Sequence, residues 1–109
     1  MKSISIDEVD WKKQNGLIPV IVQDESNKRV LMVAYANKQA IEKTLSTGCA
    51  HFWSRSRRAL WMKGETSGNT QKVVRIMIDC DNDTVLYSVD LSGPACHTGE
   101  MSCFYRELS

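Results

Sequence analysis

The chain has 109 residues, 42% of them hydrophobic and 25% charged, and its 14 Lys and Arg against 13 Asp and Glu leave a net charge of +1. A chain of this length buries roughly 60 to 70% of its unfolded surface as a single domain, and near-neutrality excludes a broad electrostatic surface for nucleic acid or a membrane, so phosphate recognition has to be local. No stretch approaches the roughly 20 apolar residues of a membrane span, and the opening MKSISIDEVDW lacks the apolar run of a signal peptide, so a cytoplasmic protein is expected.

Residues Ile6 to Lys13 are expected to form a short helix ended by Gly16, with Asp7 and Glu8 at the positive end of its dipole. Leu17 to Gln23 and Arg29 to Tyr35 are apolar runs on either side of the turn chemistry of Asp24 to Lys28, and predict a hairpin. Asn37 is a good N-cap for a helix in which Ala40, Ile41, Thr44 and Leu45 recur at helical spacing, and Gly48 stands where a C-terminal cap belongs. His51 to Ser56, Val73 to Asp79 and Thr84 to Leu91 read as strands; Lys63 to Asn69 and the stretch after Ser92 read as loops. Residues 1–109 thus predict one α+β domain, a mostly antiparallel or mixed sheet with one clear helix and a short N-terminal one.

Four cysteines without a secretory signal point to metal ligands or free thiols rather than disulfides. Cys80, Cys96 and Cys103 follow the spacing C-x15-C-x6-C, in turns and strand ends where a metal can gather them. Zinc suits sulfur ligands, and three of them leave a fourth position open for water. Three thiolates also weaken the metal as an acid, so a nearby base helps, and His97 beside Cys96 is placed for that role. The bland reading, that these are small buried hydrophobes, is as probable on spacing alone. Cys49, just past the helix, is read as structural.

Asp79, Asp81 and Asp83 alternate. In an extended chain they share one face and leave Cys80 on the other. Clustered carboxylates suit a hard cation such as Mg²⁺. An EF-hand is excluded, since its sixth position is Thr84 rather than Gly and its twelfth Asp90 rather than Glu; a solvated turn is the competing explanation. Ahead of both sets in the chain, Trp53, Ser54, Arg55, Ser56 and Arg57 interleave forks, hydroxyls and an indole suited to a nucleotide, and Lys63, Thr66, Ser67, Gly68 and Asn69 belong to a loop that reads as an anion nest. An amphipathic strand, with Arg55 and Arg57 in water and Phe52 in the core, explains the first group equally well.

Taken in order, GLIPVIVQD, VLMVAYAN, FWSRSRRALWMKGETSGNTQ, DCDND and GPACHTGEMSCFYR resemble the phosphoribosyl-AMP cyclohydrolase family. The resemblance implies a zinc-dependent hydrolysis that opens the adenine ring of 1-(5-phosphoribosyl)-AMP at the N1–C6 bond, a step of L-histidine biosynthesis. By it, Cys80, Cys96 and Cys103 would ligate one zinc per subunit, and Asp79, Asp81 and Asp83 would hold Mg²⁺. His97 would transfer a proton, and the basic segment would hold the phosphoribosyl ends. It also implies an intertwined homodimer in which Cys80 completes the zinc site of the other subunit's cysteine pair, and a chain without the pyrophosphohydrolase domain that some members carry. The competing expectation is a zinc-structured module that stacks single-stranded RNA on Trp53, Arg55 and Trp61. The near-neutral charge and an aspartate trio with nothing to do count against it.

Overall fold

The computed structural model describes residues 2–109. Strand β1 (Ile18–Asp24) lies at the centre of the sheet: Ile18, Val20 and Val22 are fully buried, and the residues between them only partly so. Side chains at every second position of a strand share a face. The expected hairpin pairs β1 with β2 (Val30–Ala36), antiparallel, around a turn in which the Asp24 carboxylate accepts from the backbone N–H and hydroxyl of Ser26 at 2.9 and 2.7 Å. On its other side β1 runs parallel to β6 (Val85–Leu91), which buries Val85, Tyr87 and Val89 by the same alternation. Strand β5 (Gln71–Ile78) pairs antiparallel with β6, giving a mixed sheet in the order β2-β1-β6-β5.

Helix α1 (Lys38–Thr47) starts where Asn37 accepts the Ala40 N–H at 2.9 Å and stops at Gly48, whose φ of 77° suits glycine. It buries Ala40, Ile41 and Thr44. Leu45 shares their spacing but stands 62% exposed. The helix packs on β3 (His51–Ser54), which forms a second, two-stranded sheet with β4 (Ala59–Met62). Strand β3 thus ends at Ser54 rather than running on to Ser56, and β4 is a strand that the sequence pattern does not signal. Ser54 to Arg58 instead make a turn, in which the Ser54 hydroxyl accepts the Arg57 N–H at 3.2 Å and Arg58 takes a φ of 52°.

Tyr87 fastens the large sheet to this second layer. Its ring lies 5.5 Å from that of Phe52, its hydroxyl donates to the His51 carbonyl at 3.1 Å, and it sits 3.2 Å from the Thr44 hydroxyl. Thr44 in turn accepts the His51 N–H at 3.0 Å, so each buried polar group here has a partner. Burial pushes the Tyr87 phenol well above its ordinary pKa, an effect the Thr44 hydroxyl partly offsets.

The N-terminal helix is shorter than expected, a single 3-10 turn at Ile6–Glu8. A capping box starts it: the Ser5 hydroxyl accepts the Asp7 N–H, and the Glu8 carboxylate accepts the Ser5 N–H at 2.7 Å. It stops because the next backbone donors go elsewhere, Asp10 N–H to the Asn82 carbonyl at 2.7 Å and Trp11 N–H to the Val9 carbonyl at 3.0 Å, while the Trp11 indole donates to the Ile6 carbonyl at 3.1 Å. Among the described residues no helix is long and apolar enough to cross a membrane.

Candidate functional site

The segment after β6 folds into a narrow turn. Ala95 N–H donates to the Met101 carbonyl at 3.3 Å, Cys96 N–H to Glu100 at 3.1 Å, and Gly99 N–H back to Cys96 at 3.0 Å. His97 is exposed at its tip. The returning arm is tied to β2: the buried Ser102 hydroxyl donates to the Val30 carbonyl at 2.7 Å, and Cys103 N–H to Leu31 at 2.7 Å. These anchors bring the Cys96 and Cys103 thiols close enough to act on one another's acidity.

The two thiols are driven apart in acidity. Cys96 is held below the ordinary thiol pKa, first by the Thr98 hydroxyl, which donates to its sulfur at 3.0 Å, then by the Thr98 backbone, with the Cys103 thiol and the Lys63 ammonium adding to this against burial. Cys103 is pushed up, first by burial and then by its neighbour Cys96. The pair therefore carries one negative charge readily and resists a second, which a cation between the sulfurs would relieve. Two thiolates of this kind fit a soft divalent metal.

The Lys63 to Asn69 loop lies alongside. Gly64, at a φ of 84°, runs so close to the backbone of Asn69 and Thr70 that a Cβ there would collide with it, and Gly68 N–H closes the loop onto the Gly64 carbonyl at 2.8 Å. The Asn69 side chain rests on Gly93, and the Thr70 carbonyl accepts the Ser92 hydroxyl at 3.0 Å, which couples this loop to the cysteine segment. Lys63 thus acts on the sulfur pair and Asn69 packs against Gly93 at the start of its segment, with Thr66, Ser67 and Gly68 on an exposed rim.

The aspartates occupy the turn between β5 and β6. They gather because the chain folds back there, not because it is extended as the alternation predicted: β5 ends at Ile78, Asn82 takes a φ of 63°, and one Asp79 oxygen accepts the N–H groups of Asp83 and Thr84 at 3.0 and 3.2 Å. One oxygen from each of Asp79, Asp81 and Asp83 lies within 4.8 Å of the others. Among the described residues this is the one such trio of His, Cys, Asp or Glu; Cys80, exposed in the same turn, does not join Cys96 and Cys103. Lys13 reaches the trio, its ammonium 2.7 Å from Asp83 and 3.5 Å from Asp81. That contact, the Lys13 hydrogen bond foremost, holds Asp83 below its ordinary pKa, while Asp83 raises that of Lys13. A cationic group already sits against these oxygens, and three carboxylates around one point fit a hard divalent ion.

The basic segment divides. Trp53 and Arg55 line a cleft, with the Arg55 guanidinium 3.8 Å from the centroid of the Tyr35 ring. The Ser54 and Ser56 hydroxyls, 3.4 Å apart, belong to the β3–β4 turn, and Arg57 is exposed. The RNA platform is overturned: Trp61 pairs with Phe52 across the strands and lies 4.8 Å from it on the core side, whereas Trp53 pairs with Leu60 on the other face. Lys13, Thr98 and Arg58 escaped the sequence reading. For Thr98 the signal was its place two residues after Cys96; for Lys13 there was none, since its partner is 70 positions away.

Taken by themselves, the fold and these clusters define a small α+β protein that gathers two thiols in one turn and three carboxylates in another. The phosphoribosyl-AMP cyclohydrolase family model matches residues 32–105. A phosphoribosyl-AMP cyclohydrolase of Archaeoglobus fulgidus is 64% identical over 87% of this chain and 88% of its own, and one of Cenarchaeum symbiosum is 55% identical over 94% and 95%. A histidine biosynthesis bifunctional protein of Pyrococcus furiosus is 58% identical over 94% of this chain but 49% of its own length. The chain belongs to the phosphoribosyl-AMP cyclohydrolase family and is a hydrolase.

Proposed function

We propose that the protein opens the adenine ring of 1-(5-phosphoribosyl)-AMP by hydrolysis at the N1–C6 bond, in the cytoplasm, as a step of L-histidine biosynthesis. It works as a homodimer in which residues 1–109 form one catalytic unit per chain. The observation that carries this reading is the family match across most of the chain, which spans both the sulfur pair and the aspartate turn.

Cys96 and Cys103 would hold one zinc per subunit together with Cys80 of the partner subunit, and Asp79, Asp81 and Asp83 would hold Mg²⁺. Two features support the sharing. Two sulfurs meet within one chain while the third stands exposed elsewhere. On β2 and the returning arm of the cysteine segment, Val30, Val33, Met101, Phe104 and Tyr105 stand 41 to 58% exposed, the kind of apolar surface a second copy covers.

Zinc, when bound, supplies Lewis acidity toward water. The chain's own residues do the rest. Ribosylation at N1 leaves the ring cationic and C6 electrophilic; water adds at C6, the N1–C6 bond breaks, and the water oxygen ends as the carboxamide oxygen. His97, exposed on the same turn as Cys96, takes the proton from water and returns one to the departing N1. The Thr98 donors and Lys63 stabilise negative charge on sulfur. Trp53 and Arg55, and the loop bearing Lys63, Thr66, Ser67, Gly68 and Asn69, orient the nucleotide, with Ser54, Ser56 and Arg57 at its edge.

The test is ring opening followed by ultraviolet absorbance, alongside metal content, before and after chelation. Loss of turnover with loss of zinc, and recovery on adding zinc back, is expected. Full activity in demetallated protein would refute the zinc assignment; no conversion by the zinc- and magnesium-loaded protein would refute the function.

A further inference from the structure

A cleft of about 530 Å³ opens between the turn before β1, the start of α1 and the β3–β4 turn. Five donor-bearing side chains line it: Asn15, Asn37, Trp53, Arg55 and Arg58. No carboxylate does. Among the described residues, neither guanidinium forms an ion pair or hydrogen bond, the Trp53 indole N–H has no acceptor, and neither asparagine amide donates to the chain. Asn37 uses its oxygen to cap α1, which leaves its NH₂ to the cleft. Arg55 is steadied by the face of Tyr35 at 3.8 Å, a contact that uses none of its five N–H groups. Arg58 holds a left-handed φ of 52°, where glycine or asparagine is at ease and a long side chain costs roughly 1 kcal/mol. The turn itself gives no reason for an arginine there.

Converging donors without an intramolecular acceptor or a neutralising acid make an anion site. We infer that this cleft binds a phosphate monoester of the substrate's phosphoribosyl groups, clamped between Arg55 and Arg58, with the Trp53 indole and the two asparagines on the sugar. The inference rests on the function proposed above and adds to it Arg58, Asn15 and Asn37. It separates phosphate binding from the sulfur pair, which draws on Lys63 and a different loop.

The experiment titrates metal-free protein with AMP, ribose 5-phosphate and adenosine by calorimetry, at low and high salt, in the wild type and in Arg58→Met, Arg58→Lys and Arg55→Met. A phosphate subsite predicts binding of AMP or ribose 5-phosphate that weakens with salt, far weaker binding of adenosine, and a loss of roughly ten- to a hundredfold in the Met variants, with part kept by Arg58→Lys. The two phosphate ligands distinguish the adenylate end from the end attached at N1. In the metal-loaded enzyme, Arg58→Met should raise KM about tenfold or more with kcat within about threefold. Arg58 is exposed, so an unchanged urea midpoint separates lost binding from lost folding. Unchanged phosphate affinity and KM in Arg58→Met, or adenosine binding as well as AMP, would overturn the cleft assignment while leaving the function standing. A wild type that fails to convert the nucleotide yet shows the Arg58-dependent phosphate binding would sink the function and spare the cleft.

Discussion

The aspartate turn and the cysteine segment are both short connections bent by a left-handed residue, Asn82 in one and Gly99 in the other, yet they assemble their donors to different degrees. Asp79, Asp81 and Asp83 come together within five consecutive residues, held by hydrogen bonds inside the same turn and capped by Lys13. Cys96 and Cys103 are brought together by their own turn and by the fastening of Ser102 and Cys103 to β2, some 70 residues earlier, while the third cysteine stays away. Local geometry suffices for the carboxylates. The sulfur site depends on the tertiary fold and, in the proposed enzyme, on a second chain.

The largest effect that could break this contrast comes from the cysteines. Cys80→Ser and Cys103→Ser should each lower turnover on the order of a hundredfold or more, and refolding the two together should restore about a quarter of wild-type activity, because half of the dimers then contain one intact shared site. Mixtures as inactive as their parents would place all three ligands in one chain, and a fully active Cys80→Ser would remove Cys80 from the site.

A smaller effect tests the support of the sulfur pair. Gly64→Ala forces a Cβ into the Asn69–Thr70 backbone at a φ of 84°, and should cost about 1–3 kcal/mol in urea unfolding and lower activity, with Mg²⁺ affinity of the aspartate turn unchanged. Equal stability would mean that the loop does not need its tight return.

Lys13→Met addresses the other side. Its ammonium occupies the ground a divalent ion would take, and Lys13 and Asp81 are well exposed to screening solvent although Asp83 is mostly covered, so the variant should bind Mg²⁺ only a few-fold more tightly by calorimetry and keep the acidity of Cys96. Weaker binding would make Lys13 a supporting element rather than a competitor.

The smallest effect is in acid. Asp83 is held below the ordinary aspartate value of 3.8, so its ion pair contributes to stability above that pH and the contribution fades as pH falls through the lower folded-state value. Acid unfolding followed by tryptophan fluorescence should have a shallower limb in Lys13→Met than in wild type. Superimposable limbs would leave the pair without a role in stability.

The same contrast explains what was legible in the sequence. The β1–β2 hairpin and α1 could be read because their signals are local: alternation on Ile18, Val20 and Val22, and the caps Asn37 and Gly48. The aspartates could be named as a group for the same reason, and their turn was the competing explanation for them, since Asp favours turns over strands. The N-terminal helix was over-read, since the Asp10 N–H is captured by the distant Asn82 carbonyl, which no local pattern signals. β4 was missed because four residues after a basic run carry too little periodicity, and its evidence is Trp61 against Phe52. Pairing across distance, Lys13 with Asp83 or Cys103 with Leu31, leaves no mark in spacing.

The parallel pairing of β1 with β6 sets Val20 beside Val85 and Val22 beside Tyr87. During synthesis the first hairpin therefore emerges with one long edge and its apolar face uncovered, and waits for most of the remaining polypeptide before its central neighbour exists. Such non-local closure slows folding and exposes the waiting strand to association with other chains. A nascent protein of this design gains from translation that does not stall between the two strands.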